Sequence, residues 1–295
     1  MTAATICDPL AALPPISLDE LTERAALQTR IDRKYLLPLA EVGALLAEVA
    51  PDTRVLRIGE LHTFGYESVY FDTPELISYL RTARRRRRRF KIRTRTYLDS
   101  AQCWLEVKTR GARGSTVKNR VPYQRDHRTT LDPGWQFVHA VLRAEAFING
   151  ADLAFAPTLV TRYQRSTLFL PGTASRATID TDLCWADWHG QRLSLPGLAV
   201  VETKTGSTAS AVDRLLWARG HRPVRISKYA TGLAALRPDL PATPWRRTLL
   251  RHFAPGATGY RPRPGRPVGP PAAANLSSGG SPAHGDLADR ITASS

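Results

Sequence analysis

Apolar and polar positions alternate with period two over several stretches of this chain. That period belongs to strands that keep one polar face. Residues 88–98 (RRFKIRTRTYL) and 102–110 (QCWLEVKTR) read as two strands joined by Asp99-Ser100-Ala101, a hairpin. RIDRKYLLP (30–38) reads as a strand ended by Pro38, and GYESVYFDTPEL (65–76) as one that breaks at Asp72-Thr73-Pro74. Another strand falls around 117–123, two more lie at 157–170 and 175–187 around a turn at Pro171-Gly172, and LAVVETKT (198–205) is a further one. Helical spacing marks 39–50, 134–147, 208–220 with Gly220 as its C-cap, and 227–236. SLDELTERAAL (17–27) opens on Ser17 with a carboxylate three residues on, the signature of a helix start. Residues 1–15 read as a flexible arm. From about 254 the composition turns to Pro, Gly, Ala and Ser, which cannot bury enough apolar surface to fold. One domain over 16–253 followed by a disordered tail over 254–295 is therefore expected, and strand units on either side of residue 150 point to two similar halves.

Strand parity carries the chemistry. Lys91, Arg93, Arg95 and Tyr97 share one face, and Phe90, Ile92, Thr94 and Thr96 the other. Trp104, Glu106 and Lys108 share a face, as do Val200, Glu202 and Lys204, and as do Arg176, Thr178 and Asp180. The ordinary reading is an antiparallel sheet with one solvated face. Two features favour an inward charged face instead. The cations are largely Arg, whose planar fork suits phosphate, and they share strands with isolated acids in the pattern Glu-x-Lys at 106–108 and 202–204. A closed barrel with charges inside and apolar side chains against outer helices would use that pattern, and it would enclose an anion tunnel.

Composition sharpens this. The 295 residues are 42% hydrophobic and 23% charged, enough for a sizeable core. Lys and Arg number 42 against 26 Asp and Glu, a net charge of +16, so a polyanionic partner is expected: nucleic acid, an anionic membrane surface or phosphate-rich small molecules. The proposed tail holds four Arg and two Asp, so the excess belongs to the folded part. Cys7, Cys103 and Cys184 form no CxxC pair, which indicates neither a zinc site nor a disulfide framework and fits a cytoplasmic setting. No signal peptide, no transmembrane run and no P-loop is read, and the histidines lack ligand spacing. The six arginines Arg84 to Arg89 run into the strand at Phe90; continued parity would put Arg85, Arg87 and Arg89 at the tunnel mouth and Arg84, Arg86 and Arg88 in solvent. Trp217 sits at helical spacing with Val212 and Leu216, a core position.

An ordered set of motifs then resembles a known family. R-x-D-x-K-Y (30–35), S-V-Y-F-D-T (68–73), K-I-R-T-R-T-Y (91–97), L-E-V-K (105–108), K-N-R (118–120), R-Y-Q-R-S (162–166), R-A-T-I-D (176–180), V-E-T-K (201–204) and S-K-Y (227–229) look like the VTC domain. This is the vacuolar transporter chaperone catalytic domain, of the triphosphate tunnel metalloenzyme (CYTH-like) superfamily. The resemblance covers roughly residues 28–240 and implies an α+β fold, an antiparallel β-barrel tunnel with flanking helices. It implies transfer of the γ-phosphate of ATP to a growing polyphosphate chain, with Mn²⁺ or Mg²⁺. Carried over by position, it implies catalytic roles for Lys34, Arg93, Arg95, Lys108, Lys118, Arg165, Arg176 and Lys228. Substrate contacts would come from Arg89, Lys91, Lys204, Arg225 and Ser227, and Glu202 would bind metal. Arg225 stands where the family has lysine. The regulatory helical domain and membrane anchor of eukaryotic members are not read here, so neither inositol-phosphate sensing nor coupled translocation is implied, and a membrane-protein partner stays open. Two alternatives stay open: a tri- or polyphosphatase in the same tunnel, and a non-catalytic module binding polyphosphate or nucleic acid, although no specific nucleic-acid motif is present.

Overall fold

The computed structural model describes residues 7–25, 31–110, 116–146, 153–253 and 261–263. Its strands are β1 (Pro15–Ile16), β2 (Ile31–Pro38), β3 (Arg54–Leu56), β4 (Phe64–Asp72), β5 (Phe90–Tyr97), β6 (Cys103–Arg110), β7 (Thr116–Tyr123), β8 (Ala156–Leu170), β9 (Ser175–Asp187), β10 (Arg192–Leu195), β11 (Leu198–Thr205) and β12 (Arg261–Arg263). The helices are α1 (Cys7–Ala11), α2 (Leu18–Arg24), α3 (Leu39–Glu48), α4 (Ile77–Ala83), α5 (Trp135–Val141), α6 (Ala211–Ala218), α7 (Lys228–Leu236) and α8 (Arg246–His252). None of the described helices is long and apolar enough to cross a membrane.

All the strands join one sheet. Its central pair is β4 and β8. From β4 the sheet runs through β5 and β6 to β7, and from β8 through β9 and β11 to β2, every one of these neighbours antiparallel. The strands do not divide cleanly at residue 150: β2, which precedes β4 in sequence, completes the later group. The short pair β1·β3 is parallel.

The expected closed barrel is corrected here. Among the described residues β2 and β7 share no backbone pairing. Edge β7 holds Pro122, which has no N–H to donate, and Lys118, and both blunt an edge. The outer edge of β2 is covered by the segment before α7, whose Val224 N–H donates to the Lys34 carbonyl at 2.7 Å. The sheet curls into an open-seamed tunnel, not a closed ladder.

The convex face holds two cores. Ile92, Leu105 and Val107 pack with Val138 and Leu142 of the α5 region. Tyr35, Leu37, Ile179 and Val201 pack with Val42, Leu45 and Leu46 of α3 and Val212 and Leu216 of α6. Each such fully buried side chain contributes roughly 1.5–3 kcal/mol. Asp213 ties α6 to the sheet: it accepts from Tyr35 Oη and Thr203 Oγ1, each at 2.7 Å, and completes a capping box with Ser210. Trp217 packs at this core as expected, its Nε1 donating to Tyr35 Oη at 3.0 Å.

A third core lies on the concave face. There α7 presses Tyr229 and Leu233 against Tyr66, Tyr70, Leu159 and Trp185. Only glycine fits at position 232, since a Cβ there would stand 2.3 Å from the Trp185 ring. A bulge in β9, with Asp182 at φ 51, lets Leu183 and Trp185 turn inward after Asp180 and meet this helix.

Several elements escaped the sequence reading: α1, α4, α8 and the short strands β1, β3, β10 and β12. Leu10 of α1 is fully buried with the α3 core, so the described part of the expected N-terminal arm packs on the domain. Apart from β12, which pairs with β10, the expected tail lies outside the described residues. The arginine run does not extend β5. It follows α4, whose C-cap is Arg84, and Arg85 reverses the chain at φ 53. Arg84 to Arg88 are exposed, so the odd-even division of the run does not hold.

Candidate active site

The concave face alternates out of the strands as their parity demands. Register places Lys91, Arg93 and Arg95 of β5 opposite Lys108, Glu106 and Trp104 of β6, and Lys118 and Arg120 of β7 opposite Lys108 and Glu106. On the other wall, Glu202 and Lys204 of β11 stand opposite Lys34 and Asp32 of β2 on one side and Thr178 and Arg176 of β9 on the other. Arg165 of β8 stands opposite Asp180 of β9. The first turn of α7 adds Lys228, and its N-cap Ser227 receives a hydrogen bond from Lys91 Nζ at 3.0 Å. The positive end of the α7 dipole therefore points into the same space.

Carboxylates on this face are held by cations. Glu106 accepts from Arg93 Nε and Nη2 at 2.8 and 2.5 Å, and it is almost wholly buried. Asp180, fully buried, accepts from Arg165 Nε and Nη2 at 2.6 and 2.9 Å and pairs with Lys228. Glu202 pairs with Lys34, and Lys204 Nζ stands 3.9 Å away. Burial alone would raise all three carboxyls. Instead Arg93, Arg95, Lys108 and Lys118 hold Glu106 well below the usual range, Arg165 and Lys228 bring Asp180 to about 2, and Lys204, Lys34 and Arg165 hold Glu202 well below it.

The lysines answer in the opposite sense. Burial, with Lys34, Arg93 and Arg89 nearby, pushes Lys91 down to about 8. Burial, reinforced by Arg120, Arg95 and Arg93 against the pull of Glu106, does the same to Lys118. Glu202 supports the charge on Lys204, yet burial with Arg165 and Lys34 brings it to about 8. Lys108 is lowered well below the ordinary lysine range by burial and the charge of Arg93. The site is short of negative charge.

It is also short of hydrogen-bond partners. Among the described residues Ser68 Oγ, Arg95 Nε, Trp104 Nε1, Thr161 Oγ1 and Thr178 Oγ1 are buried without a partner, and all five side chains stand on this face. Such groups call for a partner from outside the fold. Sequence reasoning missed Tyr163, which the parity of β8 from Arg165 could have signalled. Its hydroxyl accepts from Arg95 Nη2 at 3.1 Å, and Lys228 Nζ lies 4.3 Å from its ring centre. Burial would raise its phenol, but Arg95, Arg165 and Lys228 hold it below the ordinary value.

Most of the expected site residues meet on this face: Lys34, Lys91, Arg93, Arg95, Lys108, Lys118, Arg165, Arg176, Glu202, Lys204, Ser227 and Lys228. Two do not. Arg89 lies at the rim before β5, its Nη1 donating to the Arg86 carbonyl at 3.2 Å. Arg225 is exposed and lines a cleft outside the lumen, because the segment carrying it runs along the outer edge of β2. For a metal, no cluster of three or more His, Cys, Asp or Glu side chains exists among the described residues. Glu202, with Asp32 on the neighbouring strand, suits a hard cation that takes one or two carboxylates and completes its shell with phosphate oxygens and water.

A curled antiparallel sheet with a cationic, carboxylate-buttressed interior defines a phosphate-tunnel protein. The chain belongs to the VTC domain family, whose family model matches residues 29–237. No curated protein matches it. Among solved structures it is similar to HpAC1 from Hippeastrum, a candidate adenylyl cyclase described as having a dominant triphosphatase activity, at 15% identity and TM-score 0.42, covering 70% of this chain and 96% of that one. It is also similar to a candidate adenylate cyclase from Bacillus halodurans, at 14% identity and TM-score 0.44, covering 68% and 95%.

Proposed function

We propose that this chain is a metal-dependent polyphosphate polymerase, transferring the γ-phosphate of ATP to a polyphosphate chain held in the cationic lumen. One observation carries the choice of reaction. Glu106, Asp180 and Glu202 are all ion-paired with cations and held strongly ionised, so none of them is a competent base at neutral pH. Attack by water would need a base other than these carboxylates, such as the Lys108 amine, which is lowered well below the ordinary lysine range. Attack by the terminal oxygen of a polyphosphate needs none, because that oxygen is already anionic.

In this reading Arg93, Arg95, Lys108 and Lys118 on one wall, and Lys34, Arg165, Arg176, Lys204 and Lys228 on the other, hold the two phosphate chains in line. Same-face side chains recur every ~6.6–6.8 Å along a strand. Lys91 and Ser227 brace the α7 terminus against β5 and contact substrate from there. The acceptor oxygen forms a new bond to the γ-phosphorus as the bond to the β–γ bridging oxygen breaks, and ADP leaves with that oxygen. The transferred group gathers charge that preorganised cations stabilise. Glu202, with Asp32 on the neighbouring strand, would hold Mn²⁺ or Mg²⁺, which would supply positive charge to neutralise the transferring phosphate.

The test is incubation of the purified chain with ATP and Mn²⁺ beside Glu202→Gln, with products resolved on a gel and by phosphate release. A polyphosphate ladder from the wild type, lost in the variant, supports the polymerase. Orthophosphate without a ladder means a phosphatase. Neither product, with Mg²⁺ and a polyphosphate primer also tried, leaves a binding module.

A further inference from the structure

Outside the lumen, at the end of β2 and β11 away from Glu202, lies a second cationic cleft of about 910 Å³. Three separate segments supply its charge: Arg85 from the turn after α4, Arg222 and Arg225 from the segment before α7, and Arg246, Arg247 and Arg251 from α8. Among the described residues the only carboxylate in its lining is Glu41, which is already engaged by His221. Among the described residues Arg85, Arg225, Arg246, Arg247 and Arg251 have no carboxylate within ion-pair distance, and Arg222 donates only to the neutral carbonyls of Trp217 and His221.

The convergence is built. Thr248 Oγ1 donates to the Arg225 carbonyl at 3.2 Å, pinning α8 to the segment before α7. Arg85 takes a left-handed φ of 53, a conformation that disfavours a residue with a Cβ, where the chain turns at the cleft. Charges of one sign drawn from three segments repel one another unless an anion sits among them.

We propose that this cleft is a second binding site, separate from the lumen, for a phosphate-only polyanion such as a short inorganic polyphosphate. Forked arginine donors suit successive phosphates. Among the described residues the lining contains no Phe, Tyr or Trp to stack a base, which favours an inorganic chain over a nucleotide or a single-stranded nucleic acid. The proposal stands whichever reaction the lumen performs.

The experiment is calorimetric titration of the full chain with inorganic tripolyphosphate, without metal. The wild type should bind at two sites. Arg246→Gln/Arg247→Gln/Arg251→Gln removes three exposed charges from one wall, so the fold should melt as the wild type does while the second site weakens by about a hundredfold or more. Arg84→Gln/Arg86→Gln/Arg87→Gln removes as many exposed charges beside the cleft and should keep both sites. Binding that Arg246→Gln/Arg247→Gln/Arg251→Gln leaves unchanged, or equal losses in the two variants, would overturn the proposal. So would an oligothymidine that displaces tripolyphosphate from the second site at equal phosphate concentration, which would make the cleft a nucleic-acid surface.

Discussion

Filling the lumen should draw protons out of solution. Lys91, Lys118 and Lys204 stand at about 8 in the empty protein, for reasons of burial and crowding by like charge. At about pH 8.5 each is then protonated roughly a quarter of the time, where an ordinary lysine is almost fully protonated. A polyanion lodged among them supplies the missing negative charge and returns each toward its ordinary value, an uptake of about 0.7 proton per lysine and on the order of two in all. ATP suits as probe, because phosphate second ionisations lie near pH 6 and are complete here. Calorimetry in two buffers of different ionisation enthalpy reads the uptake directly, and affinity should fall as pH rises through about 8. The stability of the empty protein should move the other way. With folded values below the unfolded one, the unfolded chain binds more protons between about pH 8 and about pH 10.4, so these lysines make the fold more stable as pH rises through that window. Zero uptake, or net release, would show that the lysines are not buried among cations as described.

Other perturbations have definite signs. Glu106→Gln leaves Arg93 buried without its counter-charge and should cost roughly 3–5 kcal/mol in urea unfolding, with part of that loss restored by triphosphate. The Asp180 carboxyl, depressed to about 2, contributes roughly 2–3 kcal/mol that is present above about pH 4 and lost as pH falls through 2; a flat acid limb in the melting temperature would contradict the pairing with Arg165 and Lys228. Gly232→Ala drives a methyl into the Trp185 ring and should destabilise by about 1–3 kcal/mol or more, while Gly172→Ala, with open space around it, serves as the neutral comparison in the same melts.

Strands whose side chains alternate without interruption are legible in the sequence. The inward set Lys91, Arg93 and Arg95 and the outward set Phe90, Ile92 and Thr94 follow from period alone, and hydrogen-bond register then aligns them with Glu106 and Lys108. What failed was local in cause. Arg84 to Arg89 carry no apolar alternation, so nothing in the run distinguishes a strand from the exit of a helix, and α4 decides it. The bulge at Asp182 shifts the parity of β9, so Trp185 could not be placed by counting from Arg176. The family resemblance drew Arg225 into the lumen, but its placement depends on a loop lying along β2, which no periodicity encodes. Closure was overestimated because alternating strands look the same whether their outermost members meet or not.

The open seam changes what holds the two walls together. Lys34 and Lys204 stand on the β2·β11 wall and Lys91 and Lys108 on the β5·β6 wall, and Lys34 is felt at Lys91 as Lys204 is at Lys108, each across the lumen. Among the described residues no strand ladder ties β2 to β7, so walls of like charge repel across an empty lumen and are drawn together by an anion between them. Whatever anion the lumen takes is then cargo and latch at once.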